Sequence, residues 1–149
     1  MGVAMTKTEQ ERLECQVRDA HAAARNGDLS AAQALVDEVV RNLERAGLSS
    51  SYVTWLAAVV ADGFDKHVEA MSLIEQACIR DPGSPSCRAS RRIVYTRSRE
   101  AFHAAVRRGD TGTALLLYEA LARGGEADRA VRRTANALGP TPWLPGALA

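Results

Sequence analysis

The stretch TWLAAVVADGFDKHVEAMSLIEQACIRDP, residues 54–82, decides the fold. Its apolar residues recur at intervals of three and four and never alternate, which is the period of a helix and not of a strand. Gly63 interrupts the pattern, and Asp65 offers an N-cap side chain for a second helix. Asp81-Pro82 closes that helix, because proline has no N–H to continue the ladder. Within it Ala70, Ile74, Ala77 and Pro82 are spaced A-x3-I-x2-A-x4-P. Two helices and a tight turn make an antiparallel hairpin.

The same punctuation extends in both directions. Toward the N-terminus, Thr8 with Glu11 three residues on has the form of a capping box. Leu13, Val17, Ala20 and Ala24 follow on one face, and Gly27 stops the helix. Asp28 caps helix two, which turns Leu35, Val36, Val39, Val40 and Leu43 inward and ends at Gly47. The serines at 49–51 offer a cap for helix three over residues 52–62, and Val68, Met71, Ile74 and Ile79 are the apolar positions of helix four. Toward the C-terminus, Ser84-Pro85 pairs a serine cap with proline at the first helical position. Nothing then breaks the pattern until Arg108, so helix five runs about 24 residues or roughly 36 Å. Gly109-Asp110 opens helix six with Ala114, Leu117, Tyr118 and Leu121, and helix seven is expected over residues 126–138, shut by Gly139-Pro140. Seven helices on short turns require antiparallel neighbours, either in a closed bundle or in a stack of hairpins.

Internal repetition chooses between these. At an offset of 82 residues, His21-Ala22-Ala23, Arg25, Gly27-Asp28, Ala32, Leu35 and Arg41 match His103-Ala104-Ala105, Arg107, Gly109-Asp110, Ala114, Leu117 and Arg123. One supersecondary unit is used twice, with the Gly-Asp turn joining its helices. The hairpin around residues 54–82 fills the space between the copies. Ala32, Ala70 and Ala114 become corresponding small positions, each followed four residues on by Val36, Ile74 or Tyr118.

The A-x3-I-x2-A-x4-P spacing and the large apolar residue four after each small one resemble the tetratricopeptide (TPR) repeat family, over roughly residues 13–138. The unit spacings of 38 and 44 residues exceed the family's, Glu44 and Glu126 stand where proline would end two repeats, Trp55 falls one residue late, and Ala57-Ala58 replaces a Leu-Gly pair. The resemblance implies an all-α fold, a right-handed TPR-like solenoid of about three antiparallel hairpins plus a C-terminal capping helix. The domains expected are a flexible N-terminus over residues 1–8, the repeat domain over 9–139 and an irregular tail over 140–149, which holds Trp143-Leu144-Pro145.

Composition agrees with a helical protein. Apolar residues make up 46% of the chain and aromatics only 5%, so alanine and aliphatic side chains must build the core. The net charge of +1 conceals a division: residues 1–82 carry 13 acids and 8 bases, and residues 83–149 carry 5 acids and 11 bases. This suggests an acidic partner for the second half, or head-to-tail self-association. Cys15, Cys78 and Cys87 form no C-x-x-C pair, so the expectation is reduced thiols in the cytoplasm. The first ten residues have no apolar core of a signal peptide, although Met1, Gly2 and Thr6 fit the short myristoylation pattern.

Catalysis finds little footing. No Gly-rich phosphate loop, H-E-x-x-H or G-x-S-x-G is present, Cys15 and His21 diverge around one helix, and three scattered histidines lack metal-ligand spacing. A non-enzymatic role without cofactor or membrane follows. In TPR-like stacks the first helix of each pair lines the concave surface. Carried over, this implies Val17, Arg18, His21 and Arg25 from helix one, Tyr52, Trp55, Leu56 and Val59 from helix three, and Arg99, His103, Val106 and Arg107 from helix five. Such a groove suits a protein or peptide segment with acidic groups. Whether Trp55 lines the groove or packs as core is open, as is a homodimer. The family's two-carboxylate clamp is not matched: Val17, His21, Leu56, Thr96 and Glu100 occupy its positions, so heat-shock protein C-termini are not expected ligands.

His21/Arg25 and His103/Arg107 are i,i+4 pairs, placed to hold a carboxylate or phosphate or simply to face solvent. A basic strip of Arg88, Arg91, Arg92 and Arg99 shares one side of helix five and admits nucleic acid as a lesser alternative. The other alternative is a small TPR-type chaperone for a secreted or hydrophobic client.

Overall fold

A computed structural model describes residues 6–48 and 50–137, and these form seven α-helices with no strand among them. They are α1 (Lys7–Arg25), α2 (Leu29–Arg45), α3 (Ser51–Gly63), α4 (His67–Arg80), α5 (Pro85–Arg108), α6 (Thr111–Arg123) and α7 (Arg129–Ala137). The myristoylation pattern and the tail with Trp143 lie outside the described residues.

Side-chain caps set most helix starts. Asp28, Ser50, Ser84 and Asp110 accept from the backbone N–H three residues on, at 3.2–3.3 Å. The capping box of α1 is Thr6 with Glu9, two residues earlier than the Thr8/Glu11 spacing suggests. Both pairs have the T-x-x-E form, and the earlier one gains two helical residues. α7 begins at Arg129 and not at 126, because Asp128 is the residue that caps it, accepting from the Val131 N–H at 2.9 Å.

The turns of the three hairpins share one geometry. Gly27 and Gly109 have φ of +80° and +74°, and the aspartates that follow them have nearly equal dihedrals. In the middle hairpin Asp65 holds the same left-handed position, at φ +60°, and Lys66 stands at the cap without a side-chain bond. Asp65 therefore does not cap α4. Its carboxylate is held instead by Arg97 at 2.9 Å, a partner that offsets the cost of a non-glycine residue in this conformation.

Ala32, Ala70 and Ala114 are each 1% exposed or less, where the second helix of a hairpin meets the first, and Val36, Ile74 and Tyr118 are buried beside them. Contacts run within the hairpins (α1 with α2, α3 with α4, α5 with α6) and between successive ones (α2 with α3, α4 with α5). The first helices also touch in series, α1 to α3 to α5 to α7. The largest core cluster joins Met71, Ile74, Val94, Tyr95, Phe102, Leu121 and Val131, and a smaller one joins Ala20, Ala32, Val36, Leu56 and Val60. Ile79, one of the apolar positions of helix four, is 75% exposed. It sits 140° around the helix from Ile74 at 100° per residue, and Cys78 takes the inward place. Among the described residues, no helix is long and apolar enough to cross a membrane.

Candidate functional site

Three of the expected groove residues meet. His21 projects from α1, and Tyr52 and Trp55, three apart and so on one face, project from α3. The His21 ring lies edge-on to Trp55 at 5.7 Å and to Tyr52 at 6.2 Å, and the Tyr52 and Trp55 rings are 5.4 Å apart. The Tyr52 hydroxyl and His21 Nδ1 share a hydrogen bond of 3.0 Å, and Trp55 Nε1–H donates to Ser90 Oγ of α5 at 2.8 Å. One aromatic group thus bridges all three hairpins.

The open question over Trp55 has a divided answer. It is half-buried and packs against both the larger and the smaller core cluster, so it is a structural side chain with one edge exposed. Tyr52 is the ring presented to solvent, at 44% exposure. Beneath Tyr52 lies a depression of about 420 Å³ walled by Leu13, Val17, Val39, Leu43 and Val53, with Glu14 and Arg18 among its lining residues. An apolar floor with an aromatic ring and a guanidinium is the arrangement that seats an apolar side chain flanked by polar ones.

The remaining groove residues do not join this group. Val59 is half-buried, and Arg25 and Arg107 are exposed in the last turns of α1 and α5, where a cation suits the helix dipole. His103 turns toward α7, its Nδ1 3.4 Å from Thr134 Oγ1. Arg99 is engaged by Glu126 at 3.2 Å and Asp128 at 3.4 Å. Each His/Arg pair is therefore split, the histidine meeting the next first helix and the arginine left in solvent. α7 packs against α5, so His103 and Arg99 meet α7 and the residues before it rather than the His21–Tyr52–Trp55 group.

The basic strip of α5 is divided as well. Arg88 and Arg92 are exposed and have no ion pair among the described residues. Arg91 is a clamp: Nε donates to Glu75 at 2.7 Å, Nη2 donates to the Gly124 carbonyl at 3.0 Å, and the guanidinium stacks 4.5 Å from the Tyr95 ring. The Tyr95 hydroxyl donates to the same Glu75 oxygen at 2.9 Å, and burial followed by that bond pushes the phenol far above its ordinary range.

Two features escaped the sequence reading. The first is a polar network where the α3–α4 turn meets α5. Arg97 Nε lies 2.9 Å from Asp62 Oδ2, and Nη2 reaches Asp65 Oδ1 at 2.9 Å. His67 Nδ1 lies 3.6 Å from Asp62 Oδ1, and neither atom has a hydrogen bond. Burial holds the Asp62 carboxyl above its usual range, against the opposing pull of Arg97 and His67. The clustering of Asp62, Asp65 and His67 was the available signal. The second feature is an arginine face on α7. No protein-family model, curated protein or solved structure matches this chain.

Proposed function

We propose that this chain is a TPR-like stack of three helical hairpins closed by α7, serving as a non-enzymatic module that captures a protein or peptide segment, with acidic character in the segment read by nearby arginine. The stacking is supported by the shared turn geometry, by the alanine at the same place in each hairpin and by the serial contact of the first helices. The observation that carries the functional reading is the meeting of His21, Tyr52 and Trp55 beside the apolar depression that includes Arg18. An exposed ring set by its neighbours loses little conformational freedom on binding, which is what makes tyrosine and tryptophan effective anchors.

Tyr52 is the residue to test, because Trp55 is also core. Affinity capture from the native host with wild-type, Tyr52→Ala and Trp55→Ala baits should be read beside thermal melts. Tyr52→Ala is expected to keep the wild-type melt and lose the captured partner by ~10-fold or more, about 1.4 kcal/mol. Trp55→Ala is expected to lose the partner and also about 2–4 kcal/mol of stability. Full retention of every captured protein by Tyr52→Ala would sink the reading.

A further inference from the structure

Four of the seven arginines of α5 are answered within the fold, Arg91 by Glu75, Arg97 by Asp62 and Asp65, Arg99 by Glu126 and Asp128, and Arg108 by Asp110. α7 is built differently. Arg129, Arg132, Arg133 and Asn136 recur at i, i+3, i+4 and i+7, so they share one face, and all are exposed. With Ala137 they line an open depression of about 500 Å³. Val131 and Ala135, both 0% exposed, hold the opposite side inward, so the arginine face is fixed outward.

None of these three arginines has an ion pair among the described residues. Residues 1–5, 49 and 138–149 contain no aspartate or glutamate side chain that might answer them. The acids nearest in sequence, Glu126 and Asp128, are engaged by Arg99. Local electrostatics disfavour the arrangement twice. Like charges at i,i+3 and i,i+4 repel, and cations in the first turn face the positive end of the helix dipole. A carboxylate brought from outside relieves both penalties, and guanidinium forks match carboxylates two bonds at a time.

We propose that the arginine face of α7 is a docking surface for an acidic polypeptide segment. Its length favours this partner over nucleic acid. At 1.5 Å per residue the stripe spans roughly 10 Å, room for two or three anionic groups, whereas specific binding to a duplex rests on many more phosphate contacts. Arg88 and Arg92, exposed and without an ion pair among the described residues, belong to another helix. The surface is also separate from the His21–Tyr52–Trp55 group, so each reading stands or falls without the other.

The test is fluorescence anisotropy with a labelled octaglutamate peptide at low salt, about one Debye length of 20 Å or more. Arg132→Gln/Arg133→Gln keeps an unbranched polar side chain and the helix propensity while removing charge. It is expected to weaken binding ~10-fold or more, while Arg132→Lys/Arg133→Lys retains an intermediate affinity and confirms a folded α7. Arg88→Gln/Arg92→Gln is expected to leave the affinity within about twofold. A labelled octathymidylate should bind more weakly than the peptide. Absence of peptide binding to wild type, equal weakening by the Arg88/Arg92 control, or tighter binding of the oligonucleotide would each overturn the proposal.

Discussion

Asp62, in the last turn of α3, is 8% exposed, with its carboxylate between Arg97 and His67. Its folded-state pKa lies above the ordinary 3.8, with burial the largest cause, so between the two values the folded state holds the proton more tightly than the unfolded chain does. The stability this residue contributes is therefore greatest below that window and is lost as pH rises through the raised pKa, the reverse of an ordinary salt-bridged aspartate. Comparing urea unfolding of wild type and Asp62→Asn from about pH 3 to about pH 7, the difference should move in favour of the asparagine variant as pH rises. A difference that moves the other way would show that the pair with Arg97 outweighs burial. At this scale much was hidden from the sequence. Arg91 and Arg99 share a helix face with Arg88 and Arg92, but their carboxylates sit 16 and 27 residues away, and only packing brings them into reach. Tyr52, Trp55 and His21 were legible as candidates through the resemblance to the TPR family, which implies that the first helix of each pair lines the concave surface. Which of the three stays exposed was decided by contacts from α5.

Helices α4, α5 and α6 are joined by one polar clasp made of Glu75, Arg91, Tyr95 and the Gly124 carbonyl. A side chain at Gly124 would run into the Tyr95 phenol, and that ring is buried and tied to Glu75, so it has no room to yield. Gly124→Ala should therefore destabilise by about 1–3 kcal/mol in chemical denaturation, as overpacking does. Gly83→Ala, where nothing lies within 4 Å of the new carbon, is the control and should be near neutral. Equal effects at both sites would show that the clasp is not rigid. The helices themselves were readable because their caps are local: Asp28, Ser84 and Asp110 bond to a backbone group three residues away. Asp65 was misread for the opposite reason. Its place in the turn is the one glycine holds in the other hairpins, and its carboxylate answers to Arg97, 32 residues on.

The molecule as a whole is held unevenly. The largest core cluster draws on α3 through α7, while α1 and α2 are secured by the smaller clusters around Ala20, Val36 and Leu56 and around Leu13, Val39 and Val53. Trp55 is packed against both of the larger groups. Amide hydrogen exchange should find the slowest sites in α4, α5 and α6, with α1 and α2 opening at lower free energy. Equal protection in all helices would mean that the seven described helices unfold as one unit. The three-hairpin order was visible in the duplication, since matched alanines and Gly-Asp turns survive without any knowledge of packing. The course of α7 along α5 was not, because α7 is short and at the repeat offset Thr134 stands opposite Tyr52, so no identity in the sequence marks the contact. His21 meets the hydroxyl of Tyr52, and His103 meets that of Thr134, at a separation of 31 residues in both places. Each histidine lies inside the duplicated stretch and each hydroxyl outside it, so the stretch carries its own coupling and asks of its neighbour only an alcohol. A joint of this kind is defined by the hydrogen bond and not by the side chain that completes it, a phenol in one place and a threonine alcohol in the other.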